Sequence, residues 1–249
     1  MYGLIFVAGL VSAVTTGVGT IPLFWADDVS DRFNVGLWGL AGGLMASASV
    51  FGLGYEMYLH DADPVVGLAG LLSGAVLVVV AHRIIDRIDI DYDATDIAKG
   101  DMQTILSVLL ILMVHSFPEG LAIGVAFASG LEEVALVLAV VIGLQNVPDG
   151  FAFAVPMAET GMSNLRVIWY TTLSGVVPQV VASVFGFLLV GLAAGLFPVA
   201  SGFAAGAMLA VVFRELIPSS HGHGHADAAT GAFLVGFVLL VVVDAVVVV

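Results

Sequence analysis

The chain has 249 residues, 60% of them hydrophobic and 10% charged, with a mean hydropathy of +1.13. A soluble domain of that size carries roughly a quarter charged residues, so a water-facing surface is excluded, and the absence of cysteine excludes disulfides and thiolate metal sites. The formal charge of −14, from 20 acids against 6 bases, excludes nucleic acid as a partner, because that field repels phosphates.

Apolar stretches bounded by charge, Gly or Pro follow one another at 2–25, 34–58, 64–85, 102–129, 132–158, 165–190, 194–217 and 229–249. Each is about as long as a helical crossing of a bilayer requires. The chain therefore reads as an all-α, polytopic protein of the cell membrane. One multi-pass domain over 1–249 would hold eight transmembrane helices, with the lipid bilayer as a standing partner. The first stretch has no basic leader and is too long for a signal core, so it is expected to be a retained span.

Basic residues orient membrane chains. Arg32 falls in loop 1–2, Arg83, Arg87 and Lys99 at loop 3–4, Arg166 in loop 5–6 and Arg214 near loop 7–8. The opposite loops hold His60, Asp61, Asp63, Glu132 and Glu133 and no base. Eight spans thus put all six bases on one side, and the termini are expected outside, N-out and C-out. Asp86, Asp89, Asp91, Asp93, Asp96 and Asp101 crowd loop 3–4. They read as a solvated, salt-adapted surface or as a mouth that attracts cations. Gly-rich runs such as Gly36 to Gly43, Gly120-x-x-x-Gly124 and Gly202-x-x-x-Gly206 suit close helix packing and also permit a homodimer.

One motif occurs twice. His115-Ser-Phe-Pro-Glu-Gly120 in span 4 matches Gln145-Asn-Val-Pro-Asp-Gly150 in span 5, thirty residues on. Adjacent spans run antiparallel, so like motifs meet at like depth, and helices interrupted at matching positions are a pointer to a transporter's site. A carboxylate at mid-span costs about 2.5–3.5 kcal/mol on insertion scales. No Lys or Arg lies near Glu119 or Asp149 within either span. Four-residue spacing stacks His115 over Glu119 and Gln145 over Asp149 on one helix face. Ser116 and Asn146 sit one step round. Pro118 and Pro148 free the carbonyls of Val114 and Leu144, which must find partners at membrane depth. Either helix alone also reads as a packing kink with a hydrogen-bond anchor. The doubled pattern points to handling of a metal cation.

These residues resemble the paired span-4 and span-5 motifs of the ZIP (Zrt/Irt-like protein) family of divalent metal transporters. Gly43-Leu-Met-Ala-Ser-Ala-Ser49 in span 2 and the stretch from Gly202 to Pro218 in span 7 extend the resemblance over nearly the whole chain. The resemblance implies an eight-helix bundle that moves zinc or a related divalent metal toward the cytosol. The metal would be cargo, with no cofactor, and its centre, often binuclear, would lie between spans 4 and 5. The resemblance puts His115 and Glu119 on the span-4 ligands, with Ser116 where Asn is common. Gln145, Asn146 and Asp149 fall on the span-5 positions. Met45 matches an entrance thioether, and Glu215 an acid toward the cytosolic exit. Asp149 stands where Glu is common, and Arg214 and Ser219 replace frequent metal-binding types. In span 6, Ser174-Gly-Val-Val-Pro-Gln179 carries no acid, with Gln179 the nearest polar substitute. These departures imply one metal site and a weaker or altered second.

His221-Gly-His223-Gly-His225 lies in loop 7–8. Such tracts bind metal, and a metal-sensing or metal-accepting loop is expected. Single His60 and His82 are assigned no role, and Asp244 in span 8 is expected to bond another helix. Two rival functions follow from the same residues. A cation-coupled solute carrier would use Glu119 and Asp149 as coupling acids. An intramembrane metalloprotease would need His-Glu-x-x-His, and span 4 lacks the second His.

Overall fold

The computed structural model describes residues 2–25, 30–55, 64–88, 99–130, 132–222 and 224–247. His60, Asp61, Asp63, Asp89, Asp91, Asp93, Asp96 and His223 lie outside them, as do the side chains of Lys99, Asp101 and Asp244. The described residues form helices α1 (Tyr2–Gly19), α2 (Asp31–Ser47), α3 (Pro64–Ile85) and α4 (Lys99–Ala128). They continue with α5 (Glu132–Glu159), α6 (Asn164–Leu192), α7 (Phe197–Val211) and α8 (Ala226–Val247). Eight helices are long and apolar enough to cross a membrane, and no strand occurs among the described residues.

Local chemistry sets the helix ends. The Ser30 hydroxyl accepts a hydrogen bond from the Phe33 N–H at 3.3 Å, capping α2. Pro64 opens α3 and Pro198 lies in the first turn of α7, positions where a missing N–H is harmless. Gly161 closes α5 with φ +80°, a conformation that a side chain resists.

Two helices change pitch. After Ser47, α2 runs on as a π-helix over Ala48–Tyr55, where the Ser49 hydroxyl donates to Met45 O at 2.7 Å. After Val211, α7 widens into a π-turn over Val212–Leu216 and then resumes as Ile217–His221. The cause is Pro218. It has no N–H for the Arg214 carbonyl, and its ring crowds that group. The Ile217 N–H instead reaches back five residues to Val212 O. Span 7 therefore extends to His221, four residues past its expected end. Through Pro118 in α4 and Pro148 in α5 the chain stays α-helical. These are single helices with a missing rung, and the expectation of broken helices is corrected.

Packing follows the glycines. A Cβ on Gly120 or Gly124 of α4 would run into the carbonyls of Gln179 and Ser183 on α6. Gly39 and Gly43 of α2 sit on Ala229 and Phe233 of α8 in the same way. Gly70 and Gly74 of α3 sit on Val199 and Phe203 of α7, while Gly202 and Gly206 return the contact to Gly67 and Leu71. Gly19 of α1 meets Val147 of α5, and Gly150 meets Thr16. Residue numbers rise together along the α2–α8, α3–α7 and α4–α6 contacts, so these tight neighbours are parallel. Of the glycines read as permitting a homodimer, Gly39, Gly43, Gly120, Gly124, Gly202 and Gly206 pack inside the chain, while Gly36 has open space beside it. Helices α2, α4, α5 and α7 are the most buried, and α3 and α8 the least. Polar side chains midway along the inner helices, His115, Glu119, Gln145 and Asp149 among them, are therefore buried.

Candidate metal centre

α4 and α5 cross antiparallel with their duplicated motifs in reciprocal register. His115 Nε2 lies 3.3 Å from Asp149 Oδ2, and Gln145 Nε2 donates to Glu119 Oε1 at 2.9 Å. The first residue of each motif thus meets the fifth residue of the other. His115 Nε2 is also 3.7 Å from Glu119 Oε1 on its own helix. His115, Glu119 and Asp149 each present a ligand atom such that all lie within 4.8 Å of one another, and all three are buried. Phe153, one turn beyond Asp149, packs its ring edge-on against the imidazole at 5.4 Å.

Buried polar atoms are ordinarily paired. Here Glu119 Oε2, Asp149 Oδ1 and Gln145 Oε1 are buried without a hydrogen-bond partner. These are three oxygen acceptors beside an imidazole nitrogen, an oxygen and nitrogen set that suits zinc or a similar divalent ion. Leaving them unpaired costs stability unless a cation is their occasional partner.

Other expected residues lie in different places. Asn146 turns away from the three, and its Nδ2 donates to Ser12 O on α1 at 3.0 Å and to Gln179 Oε1 on α6 at 3.1 Å. Gln179 Nε2 in turn donates to the Ser12 hydroxyl at 2.9 Å. Ser116 is buried on α4, and Met45 is buried in the core on α2. Glu215 enters from the α7 π-turn, with Oε2 3.8 Å from His115 Nδ1. His221 is held in the last turn of α7, its Nε2 3.2 Å from the Thr230 hydroxyl of α8. His225 is exposed beyond it.

His82 was missed. It is buried on α3, with Nδ1 2.9 Å from Val78 O and Nε2 2.5 Å from Glu215 Oε1. A line of ionisable groups therefore runs His82, Glu215, His115, then Glu119 and Asp149. One turn past His82 and one residue before Glu215, Asp86 and Arg214 pair at 3.1 Å on the exposed surface. The available signal was a lone histidine within an apolar span, which is costly without a partner.

Fold and site together define a multi-pass helical membrane protein with a cation-sized polar cluster at its centre. Residues 89–247 match the ZIP Zinc transporter family. The chain is 33% identical to zinc transporter GufA of Myxococcus xanthus over 96% of each chain. It is 28% identical to zinc transporter ZIPB of Bordetella bronchiseptica over 97% of this chain and 81% of that one. Human zinc transporter ZIP11 shares 41% identity over 55% of this chain and 41% of its own length. The chain belongs to the ZIP family of metal-ion transporters and is not an enzyme.

Proposed function

We propose that the chain carries a divalent cation, zinc foremost, toward the cytosol through the cluster between α4 and α5. The observation that supports this most is the reciprocal register, in which ligand atoms of His115, Glu119 and Asp149 lie within 4.8 Å of one another and each carboxylate keeps a buried, unpartnered oxygen. His115, Glu119 and Asp149 serve as ligands, with Gln145 Oε1 as a neutral fourth donor. The ligands are few and come from two helices, so exchange stays open where a closed tetrahedral cage would trap the ion. With Nε2 on the ion, the Nδ1 side of His115 faces Glu215, the carboxylate–imidazole arrangement that fixes a metal-binding ring. Glu215 and His82 continue the polar line toward the basic end of α3, which is the cytosolic side if the termini are outside. The names of the relatives support zinc as the cargo.

The test is flux into liposomes loaded with a metal-sensitive dye, with Zn, Mn, Fe, Co and Cd added in turn. Zinc is expected to enter with wild type, and His115→Ala and Glu119→Ala are expected to lose most of that flux. Variants as active as wild type overturn the site. The histidine tract is a cytosolic metal-accepting loop in this reading. Replacing His221, His223 and His225 with Ala is expected to shift apparent affinity a few-fold and to leave maximal flux in place. Unchanged kinetics at every metal concentration would remove that role.

A further inference from the structure

Ser12, Asn146 and Gln179 come from α1, α5 and α6, and all three are buried. Their bonds close on one another. Asn146 donates to Ser12 O and to Gln179 Oε1, and Gln179 donates to the Ser12 hydroxyl, all between 2.9 and 3.1 Å. An amide can offer a cation only its carbonyl oxygen, and that of Gln179 already accepts an Asn146 N–H. Both amides aim their NH₂ groups into the cluster, the wrong polarity for a cation. No polar side-chain atom of these three residues is both buried and unpartnered. The neighbouring Glu119, Asp149 and Gln145 each have one that is.

Charge points the same way. Glu119 and Asp149 together balance one divalent ion. A second would add two uncompensated charges in a low-dielectric interior, with neutral amides as its remaining donors. The nearest further carboxylate, Glu215, is engaged by His82 at 2.5 Å and lies on the other side of the His115 ring.

We infer that Ser12, Asn146 and Gln179 form a neutral latch that positions Gln145 and Asp149, and that the centre holds a single divalent ion. The inference rests on the reading that the cluster binds the cargo ion. Asn146 adjoins Gln145 and stands less than a turn from Asp149. Tying it to α1 and α6 therefore fixes how far α5 slides along α4. The Thr15 hydroxyl reinforces this by donating to Gly143 O on α5 at 2.7 Å. Slippage would part both reciprocal pairs at once.

Zinc K-edge absorption on the zinc-loaded wild-type protein tests the ion count without any variant. Only light-atom neighbours are expected. A metal–metal vector at the about 3.5–4 Å of two-metal sites overturns the proposal. Zinc per chain is then compared among variants after equilibrium dialysis, where any zinc on the histidine tract cancels in the difference. Ser12→Ala and Gln179→Ala are expected to retain the wild-type count, with apparent KM for zinc raised about tenfold. The double variant is expected to be no worse than the worse single, because one network has been cut. Loss of one zinc in Gln179→Ala, or additive effects in the double variant, overturns the latch. If Glu119→Ala keeps its full zinc count and flux, the transport reading fails on its own, whatever the latch does.

Discussion

His115 presents its two ring nitrogens to different carboxylates, Nε2 to Asp149 and Glu119 and Nδ1 to Glu215. A proton on Nε2 removes the lone pair that a metal needs, so ion binding at the proposed site would displace that proton. The sign follows: apparent zinc affinity falls as pH falls, by at most about tenfold per unit for one displaced proton. Initial rates across a pH series at several zinc concentrations would measure it, and a flat apparent KM would mean that His115 is not a ligand. The core of this site was legible from residue types alone, because Glu119 and Asp149 are expensive in lipid and the repeat paired them. His82 was not, since its partner Glu215 lies on α7 and no spacing along the chain links the two. Asn146 and Gln179 were legible as polar but not as a pair. Which way a side chain one step round the helix turns depends on what packs there.

At the scale of the helix, hydropathy located the spans, and proline located where the ladder weakens, but neither gave the outcome. Pro118 leaves α4 continuous, whereas Pro218 opens a π-turn that delivers Glu215 to His82 and His115. Glycine spacing was read as packing, and the structure adds the partners. Gly124→Ala is expected to destabilise by about 1–3 kcal/mol, because its methyl meets the Ser183 backbone and cannot be absorbed by a rotamer change. Gly231→Ala, with open space around it, is the control and should raise helix propensity slightly. Thermal unfolding in detergent separates them, and equal midpoints would show that the α4–α6 approach is looser than described.

For the whole molecule, the pairs in which a glycine meets a carbonyl of another helix join helices of like parity, α2 with α8, α3 with α7, α4 with α6 and α1 with α5. Like parity and parallel register are what eight alternating crossings require. Single introduced cysteines report the side on which each loop emerges, and the lack of native cysteine makes the test clean. With N-out topology, Ser129→Cys between α4 and α5 should react with an impermeant maleimide on intact cells. Ser163→Cys between α5 and α6 should react only after lysis. The reverse pattern would invert the topology and the proposed direction of the exit.

Parallel pairing also bears on how the chain is made. α2 emerges early from a ribosome, yet the surface that Gly39 and Gly43 shape for it belongs to α8, which is translated after the other seven described helices. Until then its glycine face lies against lipid, where backbone carbonyls find no close neighbour. Insertion can proceed helix by helix, but final assembly must wait for the last one. A defect in α8 should therefore appear as an inserted but protease-sensitive protein rather than as a failure to enter the membrane.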